Sequence, residues 1–193
     1  MILEKPYDRE RAVTYAETWA LSRNPLFLNF AGRGGDCTNF ISQCLLAGGA
    51  TMNDTRDFGW YYFSPENRAP AWSGVEFLYN FLTGAPEYRQ ENGGEGPYAR
   101  PVTFAQGLRE GDIIQLANQA GDFYHTLIIT AVTPDDFLVC AHTNDALVLE
   151  IDHGIGRSQI NSDICTLHES YPFPMVSILF LTTCVLLVIH NIL

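Results

Sequence analysis

The hydrophobic period of this chain changes partway along, and that change constrains its fold more than any other feature. Up to about residue 84 the apolar residues recur at helical spacing, and from Gly111 they run as strands. Asp8 predicts the cap of a first helix, with Ala12, Tyr15, Ala16, Trp19 and Ala20 on one stripe, reaching about Ser22. A second helix is expected from Cys37, after the run Gly32-Arg33-Gly34-Gly35 and with Asp36 as its cap. Its stripe is Cys37, Phe40, Ile41, Cys44 and Leu45, and it stops at Gly48-Gly49. A third opens on the capping box Ser73-Gly74-Val75-Glu76, carries Phe77, Leu78, Phe81 and Leu82 inward, and ends at Gly84. The stretch 83–102 has no apolar period and reads as a long surface loop able to border a substrate groove. Strands follow at 111–116, 125–132 and 137–142. Helices first and strands later is the α+β pattern, with N-terminal helices packed on a C-terminal antiparallel β-sheet.

A chain of 193 residues is the size of one ordinary domain, and 47% hydrophobic residues suffice for a filled core. The net charge of -11 repels phosphate backbones, which argues against a nucleic-acid partner. The five cysteines, Cys37, Cys44, Cys140, Cys165 and Cys184, include no C-x-x-C pair and suggest neither a disulfide framework nor a zinc site. Cys37 and Cys44 on one helix are separated by roughly 10 Å of rise, beyond the limit of about 7 Å for a bridge. Free thiols, a reducing compartment and no metal or cofactor are therefore expected. The start, Met1-Ile2-Leu3-Glu4-Lys5-Pro6, lacks the charged head and apolar run of a secretory signal, so a cytoplasmic location is expected.

Residues 175–193 carry no formal charge and approach the length of about 20 residues that spans a bilayer as a helix. No Lys or Arg follows Arg157, so the flanking charge that orients most spans is missing. The composition favours a buried strand over 175–181, leaving 182–193 as an apolar tail outside a domain of residues 1–181. Membrane association through 175–193 is the alternative.

Thr133-Pro134-Asp135-Asp136 suits a tight turn between the last two predicted strands. Pairing Val132 with Phe137 and counting outward sets Leu127 opposite His142 and His125 opposite Asn144. His125, His142 and Asn144 would then share one face. A cysteine nucleophile requires a stabilised thiolate, which the unpaired N–H groups and dipole of a helix start provide, and Cys37 is placed there. It also requires an imidazole and a polar group to orient it. His125, with His142 or Asn144 beside it, matches that description. Asp36 and Asn39 flank the nucleophile, and an ionised Asp36 suits capping rather than donation to an oxyanion.

The ordered set Gly34-Gly35-Asp36-Cys37-Thr38-Asn39-Phe40-Ile41-Ser42-Gln43-Cys44-Leu45, Gly48-Gly49, Trp60-Tyr61-Tyr62, Trp72, Gly111-Asp112-Ile113-Ile114, His125 and His142-Thr143-Asn144-Asp145 resembles the bacterial putative amidase domain family. The likeness covers about residues 7 to 181. It implies a papain-like cysteine hydrolase fold, related in outline to the NlpC-type and CHAP peptidases. It further implies a peptide or amide substrate, peptidoglycan-derived ones included, with Cys37 as nucleophile and His125 as base. The third polar residue of the NlpC-type relatives corresponds best to His142, with Asn144 and Asp145 as alternatives. A binding module that kept this fold and lost its chemistry is the competing class. Free Cys is most often a small buried core residue, and a strand-end His is often simply bonded to backbone. Cys44, Cys140, Cys165 and Cys184 are assigned to core or tail. Trp60, Tyr61, Tyr62 and Trp72 fit core or groove wall better than a ligand box.

Overall fold

In the computed structural model, residues 5–102, 107–118, 120–134, 137–142, 146–150 and 183–189 are described, the last two stretches as strand backbone. Helices α1 (Arg9–Trp19), α2 (Cys37–Ala47), α3 (Pro70–Ser73), α4 (Val75–Thr83) and α5 (Pro86–Asn92) precede strands β1 (Ala99–Val102), β2 (Ile113–Ala117), β3 (Phe123–Val132), β4 (Phe137–Ala141), β5 (Ala146–Glu150) and β6 (Thr183–Ile189). The strands form one antiparallel sheet in the order β1-β6-β2-β3-β4-β5. The helices pack on one face of it, around Phe40, Ile41, Leu45, Trp60, Trp72, Leu78, Leu82, Ile113, Ile128 and Cys140. A second, smaller apolar cluster, with Ile114, Leu127, Ile129, Phe137 and Val139, covers the other face. Alternate strand residues feed the two clusters, as the period of two requires.

Asp8 caps α1 by accepting from the Arg11 N–H at 3.1 Å. The helix is fixed to the start of β2 by the Gly111-Asp112 corner. Buried Asp112 takes Arg9 Nη1 at 2.8 Å and the Arg109 N–H at 2.8 Å, while Tyr7 Oη donates to the Gly111 carbonyl at 3.2 Å. Gly111 has φ +83, and a Cβ there would lie 3.3 Å from both Arg9 and Tyr7, so both its conformation and its contacts favour glycine.

Helix α2 is buried on nearly every side, from Cys37 through Leu45. Its polar side chains are therefore obliged to find partners. Ser42 Oγ donates to the Trp72 carbonyl at 2.9 Å and accepts from Trp60 Nε1 at 3.0 Å. Asn39 Oδ1 accepts from Trp72 Nε1 at 2.9 Å. These bonds bind the two large indoles of the core, whose ring centroids are 5.0 Å apart, directly to the helix.

Several expectations from the sequence change. No capping box opens α4: Ser73 ends α3, Gly74 is the N-cap without a side-chain bond, and Ser73 Oγ accepts from Arg68 Nε instead. Phe77 is 48% exposed, while Leu78, Phe81 and Leu82 turn inward. The segment 83–102 is not a plain loop, since Pro86 starts α5 at its first turn and residues 99–102 form β1. Residues 175–181 lie outside the described residues. Thr183–Ile189, assigned above to an apolar tail, forms β6 and pairs with both β1 and β2. Among the described residues no helix is long and apolar enough to cross a membrane.

The β3–β4 hairpin begins as expected, with Val132 opposite Phe137, but its register then slips. Ala131 pairs with Leu138 and Ile129 with Val139, leaving Thr130 as a bulge. The Thr130 hydroxyl donates to the Leu138 carbonyl at 3.2 Å across that irregularity. Cys140 therefore pairs with Ile128 rather than Ile129, and every later position on β4 changes face relative to the simple count.

Replacing Ser42 with Ala leaves the buried Trp60 N–H without its acceptor, and urea unfolding is expected to show a loss of about 1–3 kcal/mol. An unchanged midpoint would show that another acceptor replaces the hydroxyl.

Candidate functional site

Cys37 is the first residue of α2, 5% exposed, with its Sγ 3.8 Å from the Thr38 hydroxyl. The helix start rests on β3 through Thr38, whose Oγ1 lies 3.3 Å from Thr126 Oγ1 and shares a hydrogen bond with it. Gln115 Nε2 donates to Thr126 Oγ1 at 3.4 Å and to the Val75 carbonyl at 3.0 Å, linking β2 and α4 to the same point. The neighbours of Cys37 and His125 are thus joined, while no hydrogen bond joins Cys37 to His125 among the described residues. Burial lowers the His125 pKa below its ordinary value, which favours the neutral imidazole that a general base must present.

The two faces of the sheet separate His125 from His142. Thr126 and Ile128 face the helices, so alternation assigns His125 to the side of Leu127 and Ile129. An extra residue, Tyr124, lies immediately before His125, because Phe123 pairs with Ala117 and His125 with Leu116. His142 follows Cys140 onto the helix side and stacks on Phe40, with ring centroids 3.9 Å apart and planes at 16°. The shared face expected from the hairpin count is therefore overturned by the bulge at Thr130.

His142 meets two acceptors. Its Nδ1 is 2.7 Å from Asp36 Oδ2 and its Nε2 is 2.9 Å from the Trp19 carbonyl. Both ring nitrogens are engaged away from His125, so the ring does not orient that base in this arrangement. Asn144 and Asp145, the alternatives for that role, lie outside the described residues.

Asp36 precedes Cys37 and is wholly buried. It occupies the N-cap position, but its carboxylate makes no capping bond. Its Oδ1 accepts from the Phe30 N–H at 2.9 Å and from Asn39 Nδ2 at 2.9 Å, and its Oδ2 meets His142 and, at 3.2 Å, Arg23 Nε. Burial alone raises the carboxyl pKa, yet the bonds from His142, Phe30 and Asn39 outweigh it and hold the group below its ordinary value. The capping role expected for Asp36 is replaced by that of a hub. Asn39 is similarly committed, its Nδ2 donating to Asp36 and to the Leu28 carbonyl at 3.1 Å. Both amide hydrogens are then used, leaving none for an oxyanion.

The other two thiols described in the structure, Cys44 and Cys140, are unsuited to attack. Burial pushes the Cys44 thiol well up and the Cys140 thiol up to about 12, the latter with help from Glu17. Segment 84–98 does border a cavity of about 340 Å³, lined by Phe81, Arg89, Asn92 and Tyr98 among others, but no candidate site residue lines it. No metal-ligating cluster occurs among the described residues. The hub at Asp36 is what sequence reasoning missed, and the only local signal for it was an acid beside the motif cysteine with Asn three residues on.

The family model described as "Putative amidase domain" matches residues 6–165, and the chain belongs to that family. The uncharacterised protein YhbB of Bacillus subtilis (strain 168) is 36% identical over 144 residues, covering 72% of this chain and 42% of the relative. The chain thus spans well under half the length of that relative. No solved structure matches.

Removing the Asp36 carboxylate breaks a buried ion pair, and Asp36→Ala is expected to lose about 3–5 kcal/mol of unfolding free energy. Because the folded carboxyl is held low, its contribution is present above the unfolded value of about pH 3.9 and is lost as pH falls through the folded one. Urea titrations of wild type and Asp36→Asn should therefore differ most near neutrality and converge in strong acid. A gap that does not narrow in acid would contradict this linkage.

Proposed function

We propose that this protein is a cysteine hydrolase of amide or peptide bonds, with Cys37 as nucleophile and His125 as general base and acid. The observation that carries it is Cys37 at the first position of α2, inside the family match, with the next residue bonded to the neighbour of His125. The unpaired N–H groups of a helix start favour a thiolate and can receive the oxyanion of a tetrahedral intermediate. His125 takes the Cys37 thiol proton, the sulfur attacks the carbonyl carbon, the C–N bond breaks, and the amine leaves with that proton. Water, giving a proton to His125, then attacks the thioester, the C–S bond breaks, the carboxylic acid leaves, and His125 returns the proton to Cys37.

Alternation turns His125 from the helix face, so this mechanism requires the ring to come round the open end of β3, beside the irregular pairing at Tyr124, to reach Cys37. The proposed relationship to papain-like, NlpC-type and CHAP peptidases rests on the same Cys-then-His order. Peptides and amides are the substrate class, peptidoglycan-derived ones included, and a cytoplasmic site of action is proposed.

Cys37→Ala is expected to abolish turnover of a peptide and amide panel without unfolding the protein. Iodoacetamide should label Cys37 at pH 7 faster in the native wild type than in the guanidinium-unfolded chain, with that advantage lost in His125→Ala. Equal native and unfolded rates would favour a non-catalytic binding module. The acid limb of turnover should lie below the ordinary histidine value of about 6.5, because the lowered His125 pKa keeps the ring neutral until the pH falls through it. A limb at or above that value would exclude His125 as the base.

A further inference from the structure

Capping by Asp36 would set a carboxylate against the first turn of α2, where the proposed mechanism needs a thiolate and an oxyanion. Two negative groups at one helix start repel each other, and a capping carboxylate also occupies the N–H donors. Yet Asp36 is an N-cap residue whose side chain does not cap. Four groups draw it elsewhere: the Phe30 N–H, Asn39 Nδ2, Arg23 and His142. Of these, the shortest contact is from His142, at 2.7 Å.

The partners of His142 are both acceptors, which points to a ring protonated on both nitrogens. The Trp19 carbonyl can only accept, so Nε2 donates. An ionised Asp36 can only accept, so Nδ1 donates too. A ring donating from both nitrogens is an imidazolium, here 2% exposed beside a carboxylate that is wholly buried. Arg23 Nε, 3.2 Å from the same Oδ2, is the other cation facing the carboxylate. The pair is enclosed by the end of α1, the end of β4 and the Phe40 ring.

We propose that His142 is a positioning residue: as an imidazolium it holds the Asp36 carboxylate off the start of α2, keeping the first-turn N–H groups for Cys37 and the substrate oxyanion. This rests on the hydrolase reading of Cys37. Without His142 the carboxylate is released toward the helix start by which the nucleophile is stabilised, and the charge rather than the lost packing slows the site.

Iodoacetamide labelling of Cys37 at pH 7, located by peptide mass spectrometry, tests this in wild type, His142→Gln, Asp36→Asn and the double variant, with folding checked by circular dichroism. His142→Gln is expected to slow labelling roughly tenfold, the scale of a charge at a partly buried helix end. Adding Asp36→Asn to it should recover most of that loss, which a merely structural role for His142 would not allow. Nitrogen-15 NMR of the wild-type imidazoles at pH 7 gives a second readout that needs no variant, with both His142 nitrogens expected to carry a proton. Wild-type speed in His142→Gln, no recovery in a folded double variant, or an unprotonated His142 nitrogen would each overturn the proposal while leaving the hydrolase reading intact. Native wild-type labelling no faster than that of the unfolded chain would overturn the hydrolase reading itself, and the positioning role with it.

Discussion

A single buried carboxylate, that of Asp36, ties together α1, α2 and the sheet. Burying an ionised group costs several kcal/mol even after relaxation, so the fold must answer it with donors from several directions. Hydrogen bonds come from the loop before α2, from α2 itself and from His142 at the end of β4, and Arg23 after α1 adds an ion pair. Three of these groups lie within 13 residues of Asp36, and His142 comes from 106 residues away. The carboxylate therefore acts as a geometric test of assembly, since its partners converge only when α1, α2 and the sheet are docked.

Next to this polar hub, α2 is anchored by a second set of buried bonds. Ser42 and Asn39 bond the Trp60 and Trp72 indoles, and Thr38 bonds Thr126 on β3. In a low-dielectric interior such bonds specify one arrangement strongly, because any alternative leaves a donor unpaired. Dispersion and apolar burial bring α2 to the sheet, and these polar contacts decide its depth and rotation. Cys37 inherits its position from both.

The helices α1, α2 and α4 and the strands β2, β3 and β4 were legible because each carries a strong period of its own. The ends of α1 and α2 followed from Asp8 and from Gly48-Gly49. What escaped was settled by contacts distant in sequence. Ser73 could cap α4 in isolation, but Arg68 claims its hydroxyl. Residues 99–102, which include Pro101, gain their strand character by pairing with Thr183–Ile189, far along the chain. For the site, Cys37 and His125 stood out as residues, but not their relative placement, and Asp36 was read only as a helix cap. One inserted residue at Thr130 moved His142 to the other face, and a bulge of that kind leaves no period to read.

The run Asp36-Cys37-Thr38-Asn39-Phe40 now has a physical account residue by residue. Asp36 gathers the donors, Thr38 fixes the helix on β3, Asn39 ties the hub to Trp72, and Phe40 supplies the surface on which His142 lies. Four of the five are satisfied by partners inside the protein, and Cys37 has only the weak contact to its neighbour Thr38. Every polar side-chain atom of the run except the Cys37 sulfur thus has a strong partner. That is the arrangement the proposed role of Cys37 requires, since a nucleophile works from surroundings that other side chains hold in place.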